Sequence, residues 1–182
     1  MTRTLVLGGA RSGKSAHAEM LAATSGKEVI YVATAQEGDA EMAARIARHR
    51  QQRDHAWMTV EEPLVLGAAI SKWSGPERLI LIDCLTVWLS NLLFAQTQMF
   101  PEVGEINPPA CFHEERERFL HALEQAAGDV ILVSNEVGMG VIPLGAISRW
   151  FVDEAGRLNQ AVAASCERTV WVAAGLPLIL KG

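Results

Sequence analysis

A glycine-rich loop of eight residues near the start of the chain constrains the fold more than any other feature. Residues 8–15 read Gly-Gly-Ala-Arg-Ser-Gly-Lys-Ser, which is the G-x-x-x-x-G-K-[ST] spacing in which backbone N–H groups surround a phosphate chain. Lys14 can reach the outer phosphates, and the Ser15 hydroxyl can hold Mg²⁺. An apolar run precedes the loop and a helix-forming stretch follows it, as this motif requires. The sequence therefore predicts a nucleotide-binding loop made by Gly8, Gly9, Ala10, Arg11, Ser12, Gly13, Lys14 and Ser15.

Composition excludes several broad classes of protein. A chain of 182 residues with 49% hydrophobic residues is expected to form a single domain, residues 1–182, around a substantial core. The net charge of −5 argues against nucleic acid as a partner, because phosphate-backbone affinity comes from an excess of lysine and arginine. The three cysteines are widely spaced and form no C-x-x-C pair. With no secretory signal and no membrane span in the sequence, we expect a cytoplasmic protein.

Apolar runs alternate with segments of helical periodicity along the chain. The runs are nearly continuous rather than alternating with polar residues, which is typical of strands covered on both faces. We therefore predict an α/β fold of the P-loop NTPase type, with a mostly parallel β-sheet and helices on both faces. The strands are predicted at 4–7, 28–33, 78–83, 129–134 and 169–173, with a further edge strand at 178–180. The helices are predicted at 14–24, 39–53, 63–73, 84–96, 112–127 and 153–166. Residues 97–110 contain three prolines and no period, which predicts a long loop.

Polar side chains follow three of the predicted strands. Asp83 ends an apolar run and is expected to help hold Mg²⁺, and the less favoured alternative is an aspartate that caps the next helix. The segment 135–140 carries Glu136 as a candidate carboxylate, or forms a simple glycine turn. Residues 34–36 end the second strand at the same edge, where they could meet the nucleotide.

The predicted helix over 39–53 places three basic side chains on one face. Arg45, His49 and Arg53 are spaced four residues apart. Like charge from the arginines disfavours the imidazolium and would keep His49 a neutral nucleophile near pH 7. From spacing alone, however, such a pattern is more often a solvated basic face than a catalytic one.

Taken together, these segments resemble the bifunctional adenosylcobinamide kinase/adenosylcobinamide-phosphate guanylyltransferase family of cobalamin synthesis. The loop at 8–15 and the block Ser134-Asn-Glu-Val-Gly138 are the most distinctive marks of that family. The resemblance runs in order through almost the whole chain. Its other blocks are Tyr31–Thr34, Glu41–Ile46 with His49, Trp57-x-Thr59-x-Glu61, Asp83–Thr86, Asn91–Leu93 and Asp153–Gln160.

This resemblance implies two reactions at one nucleotide site. Adenosylcobinamide is phosphorylated by ATP or GTP, and adenosylcobinamide phosphate then receives GMP from GTP. The family's nucleophile falls on His49, which is implied to attack the α-phosphate of GTP and carry GMP as a phosphoramidate. The resemblance also implies a homotrimer. The implied nucleotide contacts are the 8–15 loop, Thr34, Ala35, Gln36, Arg50, Gln51, Gln52, Arg53, Glu61 and Asp83.

Two other functions fit part of the sequence. A regulatory NTPase or nucleotide-binding subunit would use the same loop without transferring a group to a small molecule. The chain has no Asn-Lys-x-Asp motif for reading guanine, which weakens the case for a switch GTPase. A guanylyltransferase without the kinase step would also fit.

Overall fold

The computed structural model describes residues 1–36 and 56–182, and its centre is a seven-stranded sheet. The strand order is β3-β2-β4-β5-β1-β6-β7, and every neighbouring pair is parallel except β6 with β7. The strands are β1 (Arg3–Gly8), β2 (Glu28–Ala33), β3 (Met58–Glu61), β4 (Arg78–Asp83), β5 (Asp129–Asn135), β6 (Arg168–Ala173) and β7 (Leu176–Lys181).

Alternate residues of the central strands supply two separate hydrophobic clusters, one on each face of the sheet. On one face, Ala18 and Ala22 of α1 cover the first cluster. On the other face, the remaining described helices pack together around Trp88, whose ring lies 4.8 Å from that of Phe119. The helices are α1 (Lys14–Ala23), α2 (Leu66–Trp73), α3 (Leu85–Leu93), α4 (Ala110–Gln125) and α5 (Ala146–Ser165).

The predicted fold class is confirmed, and so is the further edge strand at the end of the chain, which is β7. Residues 94–109 contain no helix or strand, as the prolines of the 97–110 segment predicted. None of the helices in the described ranges is long and apolar enough to cross a bilayer. The predicted helix over 39–53 lies outside the described residues.

Two elements differ from the sequence-based expectation. Strand β3 was not expected, because its residues are largely exposed and form no apolar run. Helix α5 begins at Ala146, seven residues before the predicted start at 153. Ile147, Trp150 and Phe151 pack on the core there and extend the apolar stripe of the helix by two turns.

An ion pair ties the start of β1 to the start of β6. Arg3 Nη2 lies 2.6 Å from Glu167 Oε1, and the Arg3 backbone N–H donates to Glu167 Oε2 at 2.6 Å. The hydrogen bond from the Arg3 side chain lowers the pKa of Glu167 to about 2, although partial burial opposes the shift. The Glu167 carboxylate is therefore ionised in the folded chain at pH values where it is protonated in the unfolded chain.

We expect Glu167→Gln to lower the free energy of unfolding by about 0.5–1 kcal/mol at pH 7, because Glu167 remains 45% exposed and solvent screens the pair. A folded-state pKa below the unfolded value stabilises the protein above about pH 4.3, and that stabilisation is lost as the pH falls toward 2. Urea denaturation of both proteins across this range measures the difference. The control is Glu28→Gln, whose Arg78 pair is more exposed at 56% and 36%. An equal difference at pH 7 and pH 3 would contradict the assignment.

Candidate active site

The carboxyl ends of five parallel strands bring the sequence-predicted polar residues to one edge of the sheet. In the strand ladder, Gly8 at the end of β1 pairs with Asn135 of β5. Ala33 at the end of β2 pairs with Glu61 on one side and with Asp83 on the other. Asp83 in turn pairs with Val133 of β5. Ligands of open parallel sheets bind at this edge. One strand, β5, separates β1 from β4, so the axes of these two strands lie about 10 Å apart. That spacing leaves room for a phosphate chain between the loop and Asp83.

The loop at 8–15 has the backbone that a phosphate cradle needs. Gly13 caps α1 in the left-handed region at φ 94°, and Arg11 also has a positive φ of 57°. Lys14 is buried, and its Nζ donates to the Gly9 carbonyl at 3.2 Å. The Ser12 carbonyl accepts a 2.8 Å bond from Gly175 N–H, which fixes the loop against the β6–β7 turn. The N-terminus of α1 adds the positive end of a helix dipole to the charge of Lys14.

Asp83 stands at the end of β4 with its carboxylate partly exposed to the edge. The Tyr31 hydroxyl donates to Asp83 Oδ2 at 3.1 Å and orients the group. The next residue, Cys84, is no candidate nucleophile. Burial, and then the nearby charge of Asp83, raise the pKa of its thiol, so the sulfur stays protonated near neutral pH.

Thr34 connects the ends of β2 and β4 through its side chain. Its hydroxyl accepts from Cys84 N–H at 2.8 Å and donates to the Cys84 carbonyl at 2.9 Å. Its backbone carbonyl accepts from Asn91 Nδ2 at 2.8 Å. Because Thr34 is fully buried, the structure gives it a role in holding this edge together. The predicted nucleotide contact of Thr34 stays a prediction.

The other candidates divide into three groups. Ala35 and Gln36 follow β2 and line a cleft beside α3, and Glu61 ends β3 at the same edge. Glu136 accepts from Gly138 N–H at 2.6 Å, which favours the turn interpretation of the 135–140 segment. The remaining site residues lie outside the described part of the chain: His49, Arg50, Gln51, Gln52 and Arg53.

A polar network lies beneath the edge, and the sequence did not predict which of its residues pair with one another. Asn135 N–H donates to Thr86 Oγ1 at 2.8 Å, and Asn135 Nδ2 donates to the same oxygen at 3.0 Å. Asn159 Nδ2 in turn donates to the Asn135 carbonyl at 3.4 Å. The available signal was the polar stripe formed by Thr86, Ser90 and Asn91 on the otherwise apolar helix α3.

Comparison with known proteins identifies close relatives over the full chain. Residues 4–180 match the family model described as cobinamide kinase / cobinamide phosphate guanyltransferase. The chain is 52% identical over 180 residues to the bifunctional adenosylcobalamin biosynthesis protein CobP of Pseudomonas aeruginosa, covering 99% of this chain and 98% of that protein. It is 39% identical over 185 residues to the bifunctional protein CobU of Escherichia coli, covering 97% and 98%.

Similarity to solved structures supports the fold assignment and says nothing about function. A prototypical ATPase of the type III secretion system of pathogenic bacteria superimposes with a TM-score of 0.55 at 12% identity, covering 98% of this chain and 57% of that one.

We expect Gly8→Ala to destabilise the protein by about 1–3 kcal/mol, because a Cβ at this position would overlap the Ser12 hydroxyl and the Val172 carbonyl. Gly9→Ala is the matched control: a Cβ there meets no heavy atom within 4 Å, and we expect a change of less than about 0.5 kcal/mol. Urea denaturation without nucleotide measures both. Equal stability of the two variants would show that the loop does not pack as described.

Proposed function

The chain belongs to the cobinamide kinase / cobinamide phosphate guanyltransferase family, and we propose that a single domain spanning residues 1–182 carries out both of its reactions. The kinase step transfers the γ-phosphate of ATP or GTP to the hydroxyl of adenosylcobinamide. The guanylyl step transfers GMP from GTP to adenosylcobinamide phosphate. The observation that carries this proposal is the gathering of the 8–15 loop, Asp83 and Glu61 at one edge of the sheet.

In the kinase step, the acceptor oxygen bonds to the γ-phosphorus while the bond to the β-phosphate oxygen breaks, and the hydroxyl proton passes to solvent. Phosphoryl transfer depends on positioning and charge neutralisation, which the loop N–H groups and Lys14 would supply. The Ser15 hydroxyl and the Asp83 carboxylate are the hard oxygen donors that Mg²⁺ takes alongside phosphate oxygens. These two residues would hold Mg²⁺, which neutralises the phosphate charge when bound.

In the guanylyl step, we assign the nucleophile to His49, whose imidazole nitrogen displaces pyrophosphate from the α-phosphorus of GTP. A phosphate oxygen of adenosylcobinamide phosphate then attacks the same phosphorus and releases the histidine, giving adenosylcobinamide-GDP. The covalent intermediate divides one difficult transfer into two displacements, each of which has a lower barrier. Further nucleotide contacts are proposed for Thr34, Ala35, Gln36, Arg50, Gln51, Gln52, Arg53 and Glu61.

A homotrimer is the proposed assembly, and the exposed apolar residues of β7 support association. Leu176, Leu178, Ile179 and Leu180 are each more than half exposed on the edge strand of the sheet. Edge strands with exposed apolar side chains are surfaces on which chains associate.

The cytoplasm is the proposed location, where a biosynthetic enzyme would find its nucleotide substrates.

Light scattering after size exclusion is expected to give three times the chain mass of 19.8 kDa. If β7 lies in the interface, Leu178→Lys with Leu180→Lys should yield the monomer mass, because two buried unpaired charges oppose association. Met99→Lys, which places a lysine at a fully exposed apolar position outside β7, is the control for the added charge. A monomer for the parent protein would contradict the trimer, and a trimer for the double variant would exclude β7 from its interface.

GTP labelled at the α-phosphate is expected to label the parent protein covalently and not His49→Ala. The bond should survive alkali and break in acid, as a phosphoramidate does. His49→Ala should keep γ-phosphate transfer to adenosylcobinamide, whereas Lys14→Ala should lose at least about a hundredfold of it, because the transition-state charge is no longer neutralised. His121→Ala is the control, since His121 is exposed on α4. Label remaining on His49→Ala would assign the nucleophile elsewhere, and no label on the parent would favour a nucleotide-binding subunit.

A further inference from the structure

Tyr31 is the only tyrosine among the 182 residues, and it lies on β2 just beneath the carboxyl edge of the sheet. It is 2% exposed and belongs to the hydrophobic cluster on the α1 face, together with Leu79 and Leu81 of β4. A phenylalanine of nearly the same volume would fill this apolar position as well. The hydroxyl group is therefore the part of the residue that core packing does not explain.

The register of β2 and β4 brings this hydroxyl to Asp83. Tyr31 pairs with Leu81, and Asp83 lies two residues further along β4 on the same face of the sheet. A diagonal neighbour of this kind is within reach of an aromatic side chain. The Tyr31 hydroxyl donates to Asp83 Oδ2 at 3.1 Å, at the point where β4 ends.

The carboxylate that accepts this bond is on the same side of the sheet as the start of α1. Leu79, Leu81 and Asp83 point to the face that α1 covers, and α1 packs against β4 as well as β1 and β5. Ser15 lies in the first turn of α1. Asp83 and Ser15, the two residues proposed to hold Mg²⁺, therefore share one face of the sheet.

Of the two hydrogen-bond partners, Tyr31 is the one that the structure holds rigidly. Its ring is enclosed by the core, whereas Asp83 is partly exposed at the end of its strand. A partly exposed carboxylate can change rotamer, and each change moves its oxygens relative to a bound cation. Mg²⁺ requires nearly ideal octahedral geometry, so a carboxylate that is oriented in advance binds it more tightly.

We propose that Tyr31 is a positioning residue, whose hydroxyl holds the Asp83 carboxylate in the orientation that binds Mg²⁺ together with the nucleotide. The inference rests on the proposed function, in which Asp83 helps to hold that cation. The hydrogen bond uses one acceptor position of Oδ2 and leaves the other positions of the carboxylate for a cation or its water ligands. Tyr31 acts through Asp83 and touches neither the nucleotide nor the metal.

Tyr31→Phe tests this role, because it removes the hydroxyl and keeps the ring. The measurement is equilibrium binding of the α,β-methylene analogue of GTP, from which His49 cannot displace pyrophosphate, in Mg²⁺ and in EDTA. For the parent protein we expect Mg²⁺ to raise the affinity. For Tyr31→Phe we expect an affinity about tenfold weaker in Mg²⁺, as is usual when the hydrogen-bond partner of a metal ligand is lost, and unchanged in EDTA.

Thr169→Val is the matched control for the loss of a buried hydroxyl from the sheet. Thr169 is buried near the start of β6, at the end of the sheet opposite the candidate site. Within the described ranges its Oγ1 has no hydrogen-bond partner, so the substitution removes no contact that the structure describes. We expect the parent affinities in both Mg²⁺ and EDTA.

A double-mutant cycle shows whether Tyr31 acts through Asp83. Asp83→Ala should lose most of the gain in affinity that Mg²⁺ provides. Tyr31→Phe added to Asp83→Ala should then lower the affinity no further, because the group that it positions is already absent. A further loss in the double variant would overturn the proposed route.

Selective ¹³C labelling of tyrosine Cζ gives a second test on the parent protein, since one tyrosine gives one NMR signal. Cζ carries the hydroxyl, and its chemical shift responds to the hydrogen bond that the hydroxyl donates. We expect this resonance to move when Mg²⁺ is added to the complex with the GTP analogue, and to stay in place in Asp83→Ala. A parent resonance that does not respond to Mg²⁺ would contradict the proposal even if Tyr31→Phe failed to fold.

Failure of this inference and failure of the proposed function give different results. An affinity of Tyr31→Phe that falls equally in Mg²⁺ and in EDTA would make Tyr31 a structural residue only. Unchanged affinity in both would show that Asp83 needs no such partner. In either case the parent protein still phosphorylates adenosylcobinamide, whereas a parent that neither does so nor becomes labelled by GTP would remove the proposed function and this inference with it.

Discussion

Burial of the central parallel strands on both faces is the constraint on which the site depends. Strands β1, β2, β4 and β5 carry aliphatic side chains in both directions, so each strand can pair only in a register that hides both sets. The parallel register then brings all their carboxyl ends to one edge. Gly8, Ala33, Asp83 and Asn135 meet there because the core requires it, even though they are far apart in the chain. The position of the candidate site at this edge is thus a consequence of how the core packs.

The part of the site that the sequence could predict is the part encoded by contiguous residues. The loop at 8–15 has fixed glycine positions because its backbone must turn tightly, and the aspartate at the end of β4 follows an unmistakable apolar run. Strand β3 escaped prediction because an exposed edge strand buries little and needs no apolar pattern. The early start of α5 was missed because a polar residue at 153 resembles a helix cap, while the aromatic residues before it continue the buried stripe.

The network under the edge could not be predicted, since it joins residues about fifty positions apart. Thr34 bonds to Cys84, and Asn135 bonds to Thr86, in each case through a single hydroxyl. A threonine in a sequence does not indicate which distant backbone group it will satisfy. Once the register is fixed, these buried groups need partners, and the pairs that form set the shape of the cleft.

The charge distribution at the edge fits a site for nucleotide phosphates. The loop concentrates positive potential through Lys14 and the α1 dipole, where those phosphates are proposed to lie. The Asp83 carboxylate at the end of β4 would repel phosphate oxygens unless a cation lay between them, which is the role proposed for Mg²⁺.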